Sequence, residues 1–203
     1  MARNIGPIAK LSRREGVELH PKAAKALARR NYIPGQHGQS RRSKPSDYSV
    51  QLREKQKVKR MYGILEKQFR IYVARAERME GVTGENLLAL LERRLDNVCY
   101  RLGFAPSRQA ARQMVSHAHI TLNGKKVDIP SITVNPGDEI AVRAASVKKP
   151  LFASLEGNLA EASPVSWLSL NAKKLSAKVT SLPLRSELDQ DIQEQLIIEF
   201  YSR

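Results

Sequence analysis

The stretch SRQAARQMVSHAHITLNGKKV, residues 107–127, decides how this chain folds. Its first half has the spacing of a short helix. Ser107 is a helix-capping residue type, and Ala110, Ala111, Met114, Val115 and Ala118 recur every three or four residues, on one buried side. Its second half is a hairpin. Asn123–Gly124 is the pair that a type I′ turn favours, because that turn needs positive φ at both central positions. The turn sets a register in which Ile120 faces Val127 and Thr121 faces Lys126. Arg108 and Arg112 stand four apart on the face opposite the apolar one, a like-charge spacing that costs a few tenths of a kcal/mol unless an anion lies across it. His117 and His119 follow at the corner, with Lys125 and Lys126 beyond the turn. The result is a compact cationic helix and hairpin with no evident catalytic group.

Upstream, RRLDNVCYRLG at 93–103 places Leu95, Val98, Cys99 and Leu102 at i, i+3, i+4 and i+7, one stripe of a further helix. Cys99 lies inside that stripe and reads as a small buried hydrophobe. Downstream, NPGD at 135–138 is a second turn, leading into the strand EIAVR. Residues 93–157 therefore form an α+β module.

Before the module the pattern is helical. Asp47 can cap a helix near 48–62, Gly63 interrupts, and Leu65, Phe69, Tyr72, Val73 and Ala76 mark a second helix near 64–79. The first of these is crowded with Arg53, Lys55, Lys57, Lys59 and Arg60. Gly81 and Gly84 mark a turn, and Thr83 starts a third helix with Leu87, Leu88, Leu91 and Leu95 facing a core. Residues 1–46 carry Pro7, Pro21, Pro34 and Pro45 and read as an extended basic arm with one short helix at 22–30. After the module, GNLAEASPV at 157–165 reads as a linker, and VSWLSL and KVTSLP as strands. QLIIEFYS alternates Leu196, Ile198 and Phe200 like a half-buried strand. The expected organisation is an arm at 1–46, a helical domain at 47–92, the module at 93–157, and a segment 158–203 folding back to complete the helical domain.

Charge narrows the partner class. The 203-residue chain has 35 Lys and Arg against 20 Asp and Glu, a formal net charge of +15. Residues 1–60 hold 16 of those bases and 4 of the acids, so the surplus is concentrated at one end. A polyanion is the expected partner, nucleic acid before membrane. No run of 18 apolar residues is present, so no membrane span is expected. The N-terminus MARNIGPIAK has no signal-like apolar core, which points to the cytoplasm. The single cysteine excludes an intrachain disulfide framework. Aromatic residues make up 5% of the chain, too few for a broad base-stacking platform.

These motifs carry a resemblance. RRLDNVCYRLGFAPSRQAARQMVSHAHITLNGKKVDIP at 93–130 is similar to the RNA-binding module of the small-subunit ribosomal protein S-four family. PGQHGQSRR at 34–42, QLREKQKVKRMYG at 51–63, GVTGENLLALLERRLDNV at 81–98 and EQLIIEFYSR at 194–203 resemble the same family in order and spacing, so the likeness spans the chain. It implies a helical domain packed with an α+β module and a structural role in the small ribosomal subunit. It further implies primary binding to the 5′ domain of small-subunit rRNA, at a junction of several helices, early in assembly. Family members also line the messenger RNA entry channel, touch ribosomal protein S-five and influence decoding accuracy. Repression of its own operon does not carry over.

The residues expected to meet rRNA are Arg3, Lys10, Arg13, Arg14, Gln36, His37, Gly38, Arg41, Arg42 and Lys44 in the arm. Arg53, Lys55, Lys57, Lys59 and Arg60 follow on the first helix, and Ser107, Arg108, Arg112, His117, His119, Asn123 and Lys125 in the module. The spacing predicts that Arg108, Arg112, His117, His119 and Lys125 share one exposed surface.

Two departures bear on chemistry. Many family members bind zinc through four N-terminal cysteines; Ala9 and Ser12 stand where the first pair would be, and 17–31 has no cysteine. No metal and no cofactor are expected, since His20, His37, His117 and His119 are too scattered to replace such a site. RLD at 94–96 resembles the catalytic-aspartate motif of pseudouridine synthases that share the module. Here Asp96 falls on an amphipathic helix with no separate catalytic domain, so it is expected to pair with a neighbouring arginine or to cap local backbone, and no enzyme activity is expected.

Overall fold

The computed structural model describes residues 6–40, 44–149, 152, 155, 159, 165–189 and 191–202. It divides into two compact units, Met1–Leu87 with Asp189–Arg203, and Leu88–Leu188. The fold is α+β. Arg3, Arg41 and Arg42 lie outside the described residues, as does most of the linker expected at 157–165.

The first unit is helical. α1 spans Ile8–Glu15, a 3-10 turn Pro21–Ala23, α2 Ala24–Arg29, α3 Asp47–Met61, α4 Glu66–Ala76, and α5 Thr83–Glu92, within which the division falls. α1 corrects the expectation of an extended arm. Pro7 precedes it and Gly16 closes it at φ 72°, its N–H donating to the Ser12 carbonyl at 2.8 Å. Proline just before a helix and glycine just after it are the usual boundary signals, and both stood in the sequence. α3 is capped by Ser46, whose hydroxyl accepts from the Ser49 N–H at 3.3 Å; Asp47, expected as the cap, occupies the first turn instead.

The last helix of the unit spans Glu194–Tyr201, where a strand was expected. Eight residues of QLIIEFYS fit either period, and packing decides. Ile197 is fully buried, and on the same side Tyr201 stacks with Phe69 at 6.1 Å. Its neighbour Phe200 meets Tyr48 at 5.6 Å. Glu194 in the first turn suits the positive end of the helix dipole. Gly84 is required by this packing, since a Cβ there would lie 2.6 Å from Glu194 Cγ.

The second unit is the module. α6 spans Leu95–Arg101 and α7 Arg108–Ser116; β1 is Ile120–Leu122, β2 Lys125–Val127 and β3 Glu139–Val142; α8 is Ala144–Val147; β4 is Leu168–Asn171 and β5 Ser176–Val179. The helix at Glu194–Tyr201 is accordingly α9. The five strands form one antiparallel sheet in the order β2-β1-β3-β5-β4. Asn123 and Gly124 have φ of 50° and 76°, and the register is the expected one, Ile120 with Val127 and Thr121 with Lys126.

β4 and β5 correct the domain reading. β5 pairs with β3 and β4 with β5, so both extend the module's sheet, and of the segment 158–203 only Asp189–Arg203 belongs to the helical unit. The physical reason is that β3 has a free edge once β1 takes its other side, and the alternating Leu168, Leu170, Ala177 and Val179 fit the sheet's covered face. The core confirms the α6 stripe: Leu95, Val98, Cys99 and Leu102 are fully buried with Ala111, Val115, Ile120 and Ile140 around them. Each large apolar side chain buried there contributes about 1.5–3 kcal/mol. Burial raises the Cys99 thiol far above its ordinary range, so it acts as a core hydrophobe.

Candidate nucleic-acid interface

The module's cations divide into two layers. Ser107 caps α7 by accepting from the Ala110 N–H at 3.2 Å and is itself buried. The cap fixes the first turn of α7 beside α6, and both arginines of that helix then turn inward. Arg108 Nε donates to Asn97 Oδ1 at 2.8 Å and its guanidinium lies 4.7 Å over the Tyr100 ring. Arg112 donates to Asp96 Oδ2 at 3.0 Å, with 22% of its side chain exposed. The wholly exposed arginine face expected from spacing is therefore half-buried. Like charges four apart are tolerated because each has a polar partner on α6.

That partner set is a buried network. Asp96 accepts two bonds from Arg94, at 3.1 and 2.7 Å, and one from the Asn97 N–H. Asn97 donates to Glu92 Oε2 at 2.7 Å, and the Glu92 carboxylate also receives Arg101 at 3.0 and 2.8 Å. Arg94, Asp96, Asn97 and Glu92 are all buried. Buried charges persist only when paired and hydrogen-bonded, and these are. Asp96 thus has the structural role expected of it.

Outside the network the surface is cationic. His117 and Lys125 are exposed, and His119 is half-buried. His119 Nδ1 lies 2.9 Å from Ser146 Oγ, and its ring meets Phe152 edge-on at 5.7 Å. Partial burial lowers its pKa, helped by the nearby charges of Lys149, His117 and Arg143, which favours the neutral ring. Asn123 serves the turn: its amide donates to Asp138 and its carbonyl oxygen accepts from the Glu139 N–H. Exposed Lys126 was noted beyond the turn but not among the expected rRNA contacts, and exposed Arg143 and Lys149 were not singled out from sequence.

In the helical unit the α3 cations are paired. Arg53 and Arg60 both reach Glu15 of α1, Arg53 at 3.2 Å. Lys55 and Lys59 share Glu66, at 2.9 and 2.8 Å, and Lys57 reaches Glu54 at 2.8 Å. Lys55 is buried and lies 4.4 Å over the Phe200 ring. Five cations against three carboxylates leave a positive field, but these side chains hold helices together. Arg13 is likewise a clasp, donating to the carbonyls of Arg30 and Tyr32. Gly38 has a steric role: a Cβ there would lie 1.9 Å from the Ile33 carbonyl oxygen. Lys10, Arg14, Gln36, His37 and Lys44 stand exposed.

Sequence reasoning missed one face. Lys67, Arg70, Arg75 and Arg78 are exposed along α4 and the turn after it, with Ile71 52% exposed among them. The signal was present as a helical period of charge opposite Phe69, Tyr72, Val73 and Ala76. Among the described residues no group of three or more His, Cys, Asp or Glu could hold a metal ion, and no helix is long and apolar enough to cross a membrane.

Among the described residues an antiparallel sheet lies behind a capped helix with cations at its corner, the frame of an RNA-binding module. Residues 3–92 match the family described as ribosomal protein S4/S9 N-terminal domain, and residues 93–140 match the S4 domain. The chain is similar over its full length to proteins named small ribosomal subunit protein uS4. It is 54% identical to that of Heliobacterium modesticaldum, 57% to that of Herpetosiphon aurantiacus and 56% to that of Geotalea daltonii, covering 100% of each chain. This chain belongs to the uS4 family, a structural and non-enzymatic ribosomal family.

Proposed function

We propose that the chain is a structural constituent of the small ribosomal subunit, in the cytoplasm, where it binds small-subunit rRNA. Family membership supports the ribosomal role. The observation that carries the binding role is the outer layer of exposed cations. On the module these are Lys125, Lys126, Arg143 and Lys149 around the histidine corner; on the helical unit they are Lys10, Arg14, Lys44 and the α4 stripe. These side chains meet phosphates and 2′-hydroxyls of folded RNA, while the inner layer of paired arginines keeps α6 and α7 rigid beneath them.

The finer reading is that the RNA target is the multi-helix junction of the 5′ domain, bound early so that assembly nucleates there. Contacts with ribosomal protein S-five, a position beside the messenger RNA entry channel and an influence on accuracy belong to the same proposal. The residues proposed to touch rRNA directly are the exposed members of the expected set other than Asn123, which serves the turn: Lys10, Arg14, Gln36, His37, Lys44, His117 and Lys125, with His119 and Arg112 at the rim.

The test is chemical footprinting of protein-free small-subunit rRNA with and without the chain. Protection concentrated at one junction of the 5′ domain supports the proposal. Protection scattered without a site, or confined to large-subunit rRNA in a mixture, refutes it.

A further inference from the structure

The corner of the module holds a cleft of about 460 Å³. Its inner wall is apolar, with Phe104, Ala105 and Met114 all buried. Its rim carries Gln113, His117 and His119. The outer layer of cations described above does not account for this hole.

The backbone at the corner is strained in a way that builds the rim. Ala118 adopts φ 56°, in the left-handed region that favours glycine, and such a residue costs about 1–2 kcal/mol. It closes α7, with the His119 N–H reaching back to the Met114 carbonyl at 3.2 Å. The reversal leaves both flanking histidines on the cleft, ring centroids 6.2 Å apart. Strain held at a binding surface is a pointer to use.

The polar groups have capacity to spare. His119 commits Nδ1 to Ser146, which leaves Nε2 to another partner. Gln113 and His117 are exposed. A carboxamide and two imidazoles supply donors and acceptors that match the edges of a heterocyclic base, and imidazole faces stack on one. Exposed Arg143 and Lys149, outside the cleft lining, both act electrostatically on His119, so a phosphate attached to such a base would find cations in the neighbourhood of that ring.

We propose that this cleft receives one unstacked nucleobase of the bound RNA, resting on Met114 and Phe104 and read at its edge by Gln113, His117 and His119. The inference rests on the rRNA-binding reading and adds a base contact to what is otherwise backbone recognition.

Two probes test it. Adenosine 5′-monophosphate and ribose 5-phosphate are titrated to millimolar concentration into the full chain while histidine and glutamine side-chain resonances are followed. The nucleotide is expected to shift His117, His119 and Gln113, and the base-free phosphate to leave them. Equal shifts from both, or none from either, overturn the proposal. In parallel, rRNA affinity is measured for Ala110→Leu, which fills the cleft from its half-buried wall, and for the exposed Gln113→Ala. Ala110→Leu should weaken binding roughly 5- to 100-fold, the weight of one stacked base, with the salt slope unchanged because no phosphate contact is lost. Wild-type affinity in a folded Ala110→Leu protein, judged by the emission of buried Trp167, overturns it. If that variant does not fold, Gln113→Ala decides: unchanged affinity sinks the base contact, and a several-fold loss supports it. Failure of the wild-type chain to bind rRNA would refute the parent reading, and the nucleotide titration would still judge the cleft.

Discussion

Arg112 and Arg94 donate to the same carboxylate oxygen, Asp96 Oδ2, at 3.0 and 2.7 Å. One buried acid therefore ties α7 to the start of α6 and holds an arginine that would otherwise extend into solvent. A double alanine substitution of Arg108 and Arg112 would not leave the fold untouched, since both side chains brace the α6–α7 pair.

Asp96→Asn should be strongly destabilising. Arg94, 2% exposed, would keep its charge and lose its carboxylate, and breaking a buried pair from one side costs about 3–5 kcal/mol. Urea unfolding checks this; a loss under about 1 kcal/mol would mean that the network is not structural.

Glu66 gives the helical unit an acid-sensitive joint. Burial alone would raise its pKa, but hydrogen bonds from Lys55, Lys59 and Tyr201 outweigh that and bring it to about 2, against an ordinary 4.5. A folded pKa below the unfolded one stabilises at neutral pH, and that contribution fades as pH falls from 4.5 through about 2. The carboxylate is 36% exposed, so screening reduces the effect to about 1–2 kcal/mol. Glu66→Gln should be less stable at pH 7 and show a flatter acid limb. Identical pH profiles for the two proteins would remove Glu66 from the account.

Glu15 should control how firmly α1 is held. Its side chain is 1% exposed beneath Arg53 and Arg60, and Gly16 closes the helix above it. Hydrogen exchange of the free protein should show protection at the Leu11 and Gly16 amides, which donate to Pro7 and Ser12. Glu15→Ala should abolish that protection by leaving two cations without their acid. Free exchange at both amides in the wild type would restore the picture of an extended arm.

The α4 stripe should act through phosphates alone. Arg75→Ala and Arg78→Ala remove exposed charge, so stability should stay within about 0.5 kcal/mol. Each substitution that loses a phosphate contact should lower the log–log salt slope of rRNA binding by ~0.7–0.9. A slope unchanged in the double variant would mean that this face looks at solvent.

Local signals were legible where chemistry is local. Asn123–Gly124 fixed the hairpin register, Ser107 the start of α7, and the α6 period the core. What was not legible depends on partners distant in sequence. The α3 lysines and arginines read as an rRNA-facing set because Glu15 and Glu66, which pair with four of the five, lie on other helices. QLIIEFYS became a helix because Phe69 and Tyr48 offered an aromatic seat. β4 and β5 joined the module because β3 had an edge to fill, which no spacing within 158–188 could indicate.

The central claim is that this chain recognises small-subunit rRNA through an exposed cationic layer set on a rigid frame. Its most direct test is the affinity of the purified chain for protein-free small-subunit rRNA, measured against an excess of large-subunit rRNA as salt is raised. The account predicts a site that survives the competitor and a log affinity falling steeply and linearly with log salt, several phosphate contacts at ~0.7–0.9 each. Equal loss to either RNA, or a slope near zero, would contradict it.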